Sequence, residues 1–315
     1  MSTGKSARLI LGLLSVAAIA VAGGTLVRRY KRDIRAAQDR LATCDRQVIT
    51  TAVADVEYVD RGTGEPLLVS HGIFGSCESV LLLADLFGDR RVIAPSRFGY
   101  LGSSMPAGAT PADQADAFVA LLDALGISAV DVVGISAGTT SVLQLAVRHP
   151  ERLKHLVVLS GNLPGSPTAV VQPSWARLAN RQLPMWALKL FAPATMAFLA
   201  GVPRRLLVTG DDAHFVAEFI ERLFPVTPNL AGVAFDAFVS NVDVNSFELE
   251  TIRVATLLIH AKDDPLVSYD AAERAAKRIP GAHLVSLDSG GHLMVGQTKT
   301  VRNALASFFS ERIAD

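Results

Sequence analysis

Residues 130–147 read VDVVGISAGTTSVLQLAV, and this stretch decides the fold. An apolar run, Val130 to Ile135, has the length and β-branched content of a strand buried on both faces. It stops at Gly134-Ile135-Ser136-Ala137-Gly138 and passes at once into a helical pattern. A strand-to-helix turn of this kind lifts a serine oxygen out of the chain. It closes only if small residues flank the serine, because a Cβ on either side would meet neighbouring backbone. The alternative is an ordinary tight turn with a capping serine. The strand before and helix after favour a presented nucleophile.

The same alternation extends on both sides. Residues 66–70, 92–94, 155–159, 255–259 and 282–287 are short apolar runs, and helical patterns occupy 111–125, 137–149, 269–279 and 298–309. Residues 53–59 alternate like an edge strand. Strand–helix repetition predicts an α/β protein with a doubly wound, mostly parallel sheet. Residues 161–251 break the rhythm. They are helical in character, hold several prolines, both tryptophans and eight of the fourteen phenylalanines, and are expected to form a lid over the carboxyl ends of the strands.

A nucleophilic serine needs a base. His292 follows Gly290 and Gly291 in a loop after the last strand, where ligands gather in open α/β sheets. Imidazole suits proton transfer near neutral pH. The orienting carboxylate is expected after the strand at 255–259, where Asp263 and Asp264 are adjacent; either also reads as a turn or cap acid. The oxyanion of a tetrahedral intermediate needs N–H donors. The amide of Ala137 is one, and the loop at 71–76 (HGIFGS) offers Ile73 for the other. His71 itself reads as structural. The weaker histidines are His149, His155, His214, His260 and His283.

The chain has 315 residues, half of them hydrophobic, with 30 basic and 30 acidic side chains. No basic run stands out in the body of the chain, so nucleic acid is not an expected partner. Cys44 and Cys77 make neither a disulfide framework nor a zinc cluster. Residues 9–27 (LILGLLSVAAIAVAGGTLV) carry no charge and have about the length of a bilayer core at 1.5 Å per residue. They read as an uncleaved, single-pass anchor within residues 1–30; a signal peptide cut near Ala22 and a buried core helix are the alternatives. Residues 31–52 read as a charged linker and 53–315 as the catalytic domain. Arg28, Arg29, Lys31, Arg32, Arg35 and Arg40 after the run outnumber Lys5 and Arg8 before it, which predicts a cytoplasmic domain.

Together these motifs resemble the α/β-hydrolase superfamily, in its lid-bearing serine-hydrolase (esterase/lipase-like) branch, over about residues 53–313. The resemblance rests on H-G-x-x-G-S at His71, the elbow at Ser136, the Asp264 loop and G-G-H at His292, in the order Ser, Asp, His. It implies Asp264 over Asp263, since the family's acid precedes a short apolar pair, and it implies Ile73 as a donor. Residues 96–104 (SRFGYLGSS) depart from the Asp-x-Arg-Gly-x-Gly-x-Ser segment of many relatives. The implied activity is hydrolysis of an ester-type bond of a small or lipid-like apolar substrate through an acyl-enzyme, without metal or organic cofactor. Cofactor-free haloperoxidase-like chemistry, carbon–carbon bond hydrolysis, acyl transfer and a non-catalytic, membrane-anchored interaction role are the alternatives. Serine at the elbow sets the chain apart from relatives with an aspartate nucleophile.

Overall fold

The structure, a computed structural model, describes residues 3–170, 177 and 180–310, with side chains from residue 20 onward. It divides into two units, Met1–Thr43 and Cys44–Asp315. The first is a single helix, α1 (Thr3–Thr43). The anchor expected over 9–27 falls inside it, and its side chains up to residue 19 lie outside the described residues. Among the described residues no single helix is long and apolar enough to cross a membrane, so that anchor rests on the sequence alone.

The second unit is built on eight strands: β1 (Gln47–Thr50), β2 (Asp55–Arg61), β3 (Pro66–Ser70), β4 (Arg91–Pro95), β5 (Val130–Ile135), β6 (Leu153–Leu159), β7 (Thr256–Ala261) and β8 (His283–Leu287). Their order is β1-β2-β4-β3-β5-β6-β7-β8; β2 runs antiparallel to both its neighbours, β1 and β4, and all other neighbouring strands are parallel. The charged linker expected over 31–52 reads as helical in its first part. Helix α1 runs through that part, and residues 47–50 pair with β2 as an edge strand.

Alternate residues of the central strands feed two cores. Leu68, Val132, Val158 and Leu258 pack on one side with α3 (Pro111–Ala124), α4 (Thr139–Arg148) and α9 (Tyr269–Arg278). Leu67, Val133, Val157 and Leu257 pack on the other with α10 (Thr298–Ser310) and the short α2 (Cys77–Val80). Burial on both faces is why these strands read as unbroken apolar runs. Helix α3 starts at a capping box between Thr110 and Asp113 with Pro111 in its first turn.

Between β6 and β7 the chain is helical among the described residues: α5 (Gln182–Phe191), α6 (Pro193–Leu199), α7 (Gly210–Arg222), α8 (Leu230–Phe235) and a π turn, Asp236–Ser240. Strand order reverses where β3 lies between β4 and β5, so the loops after β3 and β5 diverge there and open a crevice at the carboxyl end of the sheet.

Candidate active site

Ser136 follows β5 at that crevice with φ of 51°, a left-handed conformation that L-residues adopt at a cost. The flanking glycines have a steric cause. A Cβ on Gly134 would lie 2.4 Å from Val142 Cγ2, and one on Gly138 would lie 2.3 Å from the Ser70 carbonyl oxygen and 2.5 Å from that of His71. Neither position takes a side chain without moving main chain.

His292 stands beyond β8, after Gly290 (φ 127°) and Gly291 (φ 61°). Its Nδ1 lies 2.8 Å from Asp264 Oδ2, in the loop after β7. Asp264 Oδ1 accepts from the amides of Leu266 (2.8 Å) and Val267 (3.0 Å), and its side chain is fully buried. Burial alone would raise the Asp264 pKa. The His292 ring, a bond from His260 and the Val267 amide outweigh it and hold the carboxyl well below the usual carboxylate range. An ionised carboxylate only accepts, so Nδ1 of His292 carries the proton and a neutral ring leaves its Nε2 lone pair free.

The adjacent aspartates have different work. Asp263 accepts from the amides of Gly291 (2.8 Å) and Gly290 (3.3 Å), tying its loop to the one that carries His292. His260, buried in β7, places Nε2 3.2 Å from Asp264 Oδ2 and 3.1 Å from the Val267 carbonyl. The insertion adds a further hold, since the His292 amide donates to the Gly201 carbonyl at 2.8 Å. A Cβ on Gly201 would sit 2.2 Å from that of His292.

After β3, His71 is buried with its ring bonded at both ends. Nε2 accepts from the Arg97 amide (3.0 Å), so Nδ1 donates to the Gly72 carbonyl (2.7 Å). Burial, with Arg97 nearby, pushes its pKa well below the usual range, so it stays neutral and structural. The same loop holds Ile73 and ends at Gly75, whose amide returns to the Gly72 carbonyl at 3.1 Å. Ala137 is almost fully buried at the start of the helical turn after Ser136, where main-chain amides have no intrahelical partner.

These features coincide with comparisons of sequence and structure. The family described as alpha/beta hydrolase fold matches residues 65–297. The chain belongs to the α/β-hydrolase family. It is 29% identical over 248 residues to a 2-hydroxymuconate semialdehyde hydrolase of Pseudomonas putida, which spans 74% of this chain and 82% of that protein. An α/β-hydrolase fold protein from Nakamurella multipartita superimposes with a TM-score of 0.65 at 28% identity, covering 84% of this chain and 98% of that one. The enol-lactonase of Burkholderia xenovorans LB400 superimposes at 0.66 with 19% identity, over 84% of this chain and all of that one, a likeness of fold alone.

In this α/β-hydrolase, Ser136 and His292 line one cavity of about 150 Å³ together with Ile73 and Phe74. The insertion supplies Leu199, Ala200, Phe215, Phe219 and Leu223 to its wall. Apart from the two histidines, His71 and His292, no ionisable side chain among the described residues lines it. His149 and His155 instead meet Asp116 and Asp131, each at 2.7 Å, away from the cavity.

Sequence reasoning missed the group that joins the insertion to the loop after β4. Arg97 forms two bonds to Asp236 (2.6 and 2.5 Å), and the Tyr100 hydroxyl donates to the same carboxylate at 2.5 Å, all three side chains buried. The only signal was the departure at residues 96–104, which places an arginine and a tyrosine in a glycine-containing loop. Its partner lies far along the chain.

Proposed function

We propose that this α/β-hydrolase is a serine hydrolase that cleaves an ester-type bond of a small or lipid-like apolar substrate through an acyl-enzyme. The observation that carries the reading is the left-handed Ser136 sharing a cavity with His292, whose Nδ1 is committed to a buried, ionised Asp264. His292 Nε2 takes the Ser136 proton as Oγ attacks the carbonyl, and the amides of Ile73 and Ala137 meet the developing oxyanion. The proton passes to the departing alkoxide. Water, deprotonated by the same nitrogen, then releases the acid and regenerates Ser136.

The lining supports an uncharged acyl group, because a buried ion would find no counter-charge there. Carbon–carbon bond hydrolysis is the second reading, on the strength of the relative named 2-hydroxymuconate semialdehyde hydrolase. An anionic substrate would meet no Lys or Arg among the described residues of this cavity, which favours the ester. The insertion over 161–251 acts in this reading as a lid, since it walls the cavity and contacts His292. Residues 9–27 anchor the chain in a membrane, and the excess of Lys and Arg after them keeps the catalytic domain cytoplasmic.

A fluorophosphonate probe tests the central claim. It should label the protein at Ser136, and Ser136→Ala should abolish both labelling and turnover of p-nitrophenyl esters while leaving the unfolding midpoint in place. Labelling or turnover retained in pure Ser136→Ala protein would overturn the assignment. A series of esters of increasing chain length then separates small from lipid-like substrates.

A further inference from the structure

The helical insertion is divided by charge. Residues 161–210 contain five Lys and Arg (Arg177, Arg181, Lys189, Arg204 and Arg205) and no Asp or Glu. Residues 211–251 contain eight Asp and Glu and one basic residue, Arg222. The whole chain is balanced at 30 of each sign, so the segregation is local. The second half disposes of much of its charge internally: Asp236 pairs with Arg97, Glu218 with Arg222 and Glu250 with Arg278. In the first half, among the described residues, only Lys189 does so, with Glu221 at 2.8 Å. Arg181, Arg204 and Arg205 have no acidic partner among the described residues and are exposed.

Apolar side chains are interspersed with these cations. Leu183 is 58% exposed, Phe191 68%, Leu199 53% and Leu207 87%. Exposed apolar residues scattered singly are ordinary. Here four of the ten large ones exposed among the described residues fall between Leu183 and Leu207. One of them, Leu199, both faces solvent and lines the cavity.

The chemistry selects the partner. A second copy meeting the same face across a two-fold axis would set arginines against arginines. An anionic bilayer takes both components, with headgroups neutralising Arg and Lys while Leu and Phe enter the interface. We propose that residues 181–207 are a membrane-docking surface for anionic phospholipid, sharing Leu199 with the cavity. The surface stands apart from the ester reading, since its test measures depth in lipid and not turnover.

The full chain, with Cys44→Ser, is reconstituted in phosphatidylcholine vesicles with or without phosphatidylserine. It carries an environment-sensitive dye on Leu207→Cys or, as a reference on α10, on Lys299→Cys. Brominated lipid should quench the Leu207 dye and spare the Lys299 dye, more strongly with phosphatidylserine, and salt should reverse the effect. Arg204→Gln with Arg205→Gln should lower the ratio of docked to undocked domain about 25-fold, at about fivefold per arginine. Phe191→Ser should weaken docking without removing its salt dependence. Equal quenching at both positions, quenching indifferent to salt and to the arginines, or a dye shift produced by unlabelled protein without lipid would each overturn the proposal. The last would identify the face as a contact between copies.

Discussion

The carboxyl edge of the sheet and the insertion between β6 and β7 wall the same cavity, yet they are held by different means. At the sheet edge the constraint lies in the main chain. Gly134 and Gly138 have no room for a methyl group, and Ser136 is confined to a left-handed turn between them. In the insertion the constraint lies in buried polar side chains. Arg97 and Tyr100 meet Asp236, Thr140 meets Ser240 at 2.5 Å, and Asn162 donates to Asn241 at 3.1 and 3.2 Å. Reacting geometry is set where a single carbon is ruinous. The cover is held largely by side-chain pairs that can change together, so paired substitution should be tolerated there and not at the elbow.

The comparison breaks most directly at Asp264. Asp264→Asn should lower kcat by about 10⁴-fold by favouring the wrong imidazole tautomer. Asp263→Asn should lower it about tenfold, the equivalent of roughly 1.4 kcal/mol, because it loosens the Gly290–Gly291 amides without touching the ring. Steady-state turnover of one ester by both variants checks the ranking, and equal losses would erase the distinction between the neighbours.

Gly138→Ala should cost on the order of 4 kcal/mol or more, or prevent folding, because its Cβ would overlap two carbonyl oxygens. Urea unfolding within about 1 kcal/mol of the parent would show that the elbow yields after all. The insertion should behave otherwise. Arg97→Met leaves Asp236 buried and unpaired and should cost about 3–5 kcal/mol, whereas Arg97→Met with Asp236→Leu should recover most of it. Additive losses in that cycle would place the insertion under the same rigid rule as the sheet edge.

The smallest expected effect is a pH dependence. The Asp264 carboxyl is held below its ordinary value, so the unfolded chain binds its proton more readily than the folded one. The stability this contributes is fully present above the unfolded pKa, about 3.9, and is lost as pH falls towards the folded value. The stability gap between the parent and Asp264→Asn should therefore narrow with acidification below about pH 4, read by denaturant unfolding. A gap constant through that range would mean that Asp264 is not held ionised by its surroundings.

Much of this was legible beforehand, for reasons that can be named. Strands β3 and β5 announced themselves because both faces are buried and leave unbroken apolar runs. Strand β1 did not. Four residues at an exposed edge carry no period, and they pair only because β2 presents a free side. Helices α5 to α8 of the insertion are short, 6 to 13 residues, and begin without a capping side chain, so no cap residue marked their limits. Asp236 was invisible because its partner Arg97 is 139 positions away.

The sequence by itself determined the alternation of strand and helix and the serine elbow with its two glycines. It also placed the glycine-flanked His292 loop after the last strand, and it drew the charge division within the insertion. These are local properties, decided by burial period and by the space around one residue. The resemblance already pointed to Asp264 of the two adjacent aspartates, and the tertiary structure sets its Oδ2 2.8 Å from His292 Nδ1. Only the tertiary structure brought Gly201 against that histidine and closed Arg97 on Asp236. Contacts between residues so far apart in the chain exist only after it has folded back on itself.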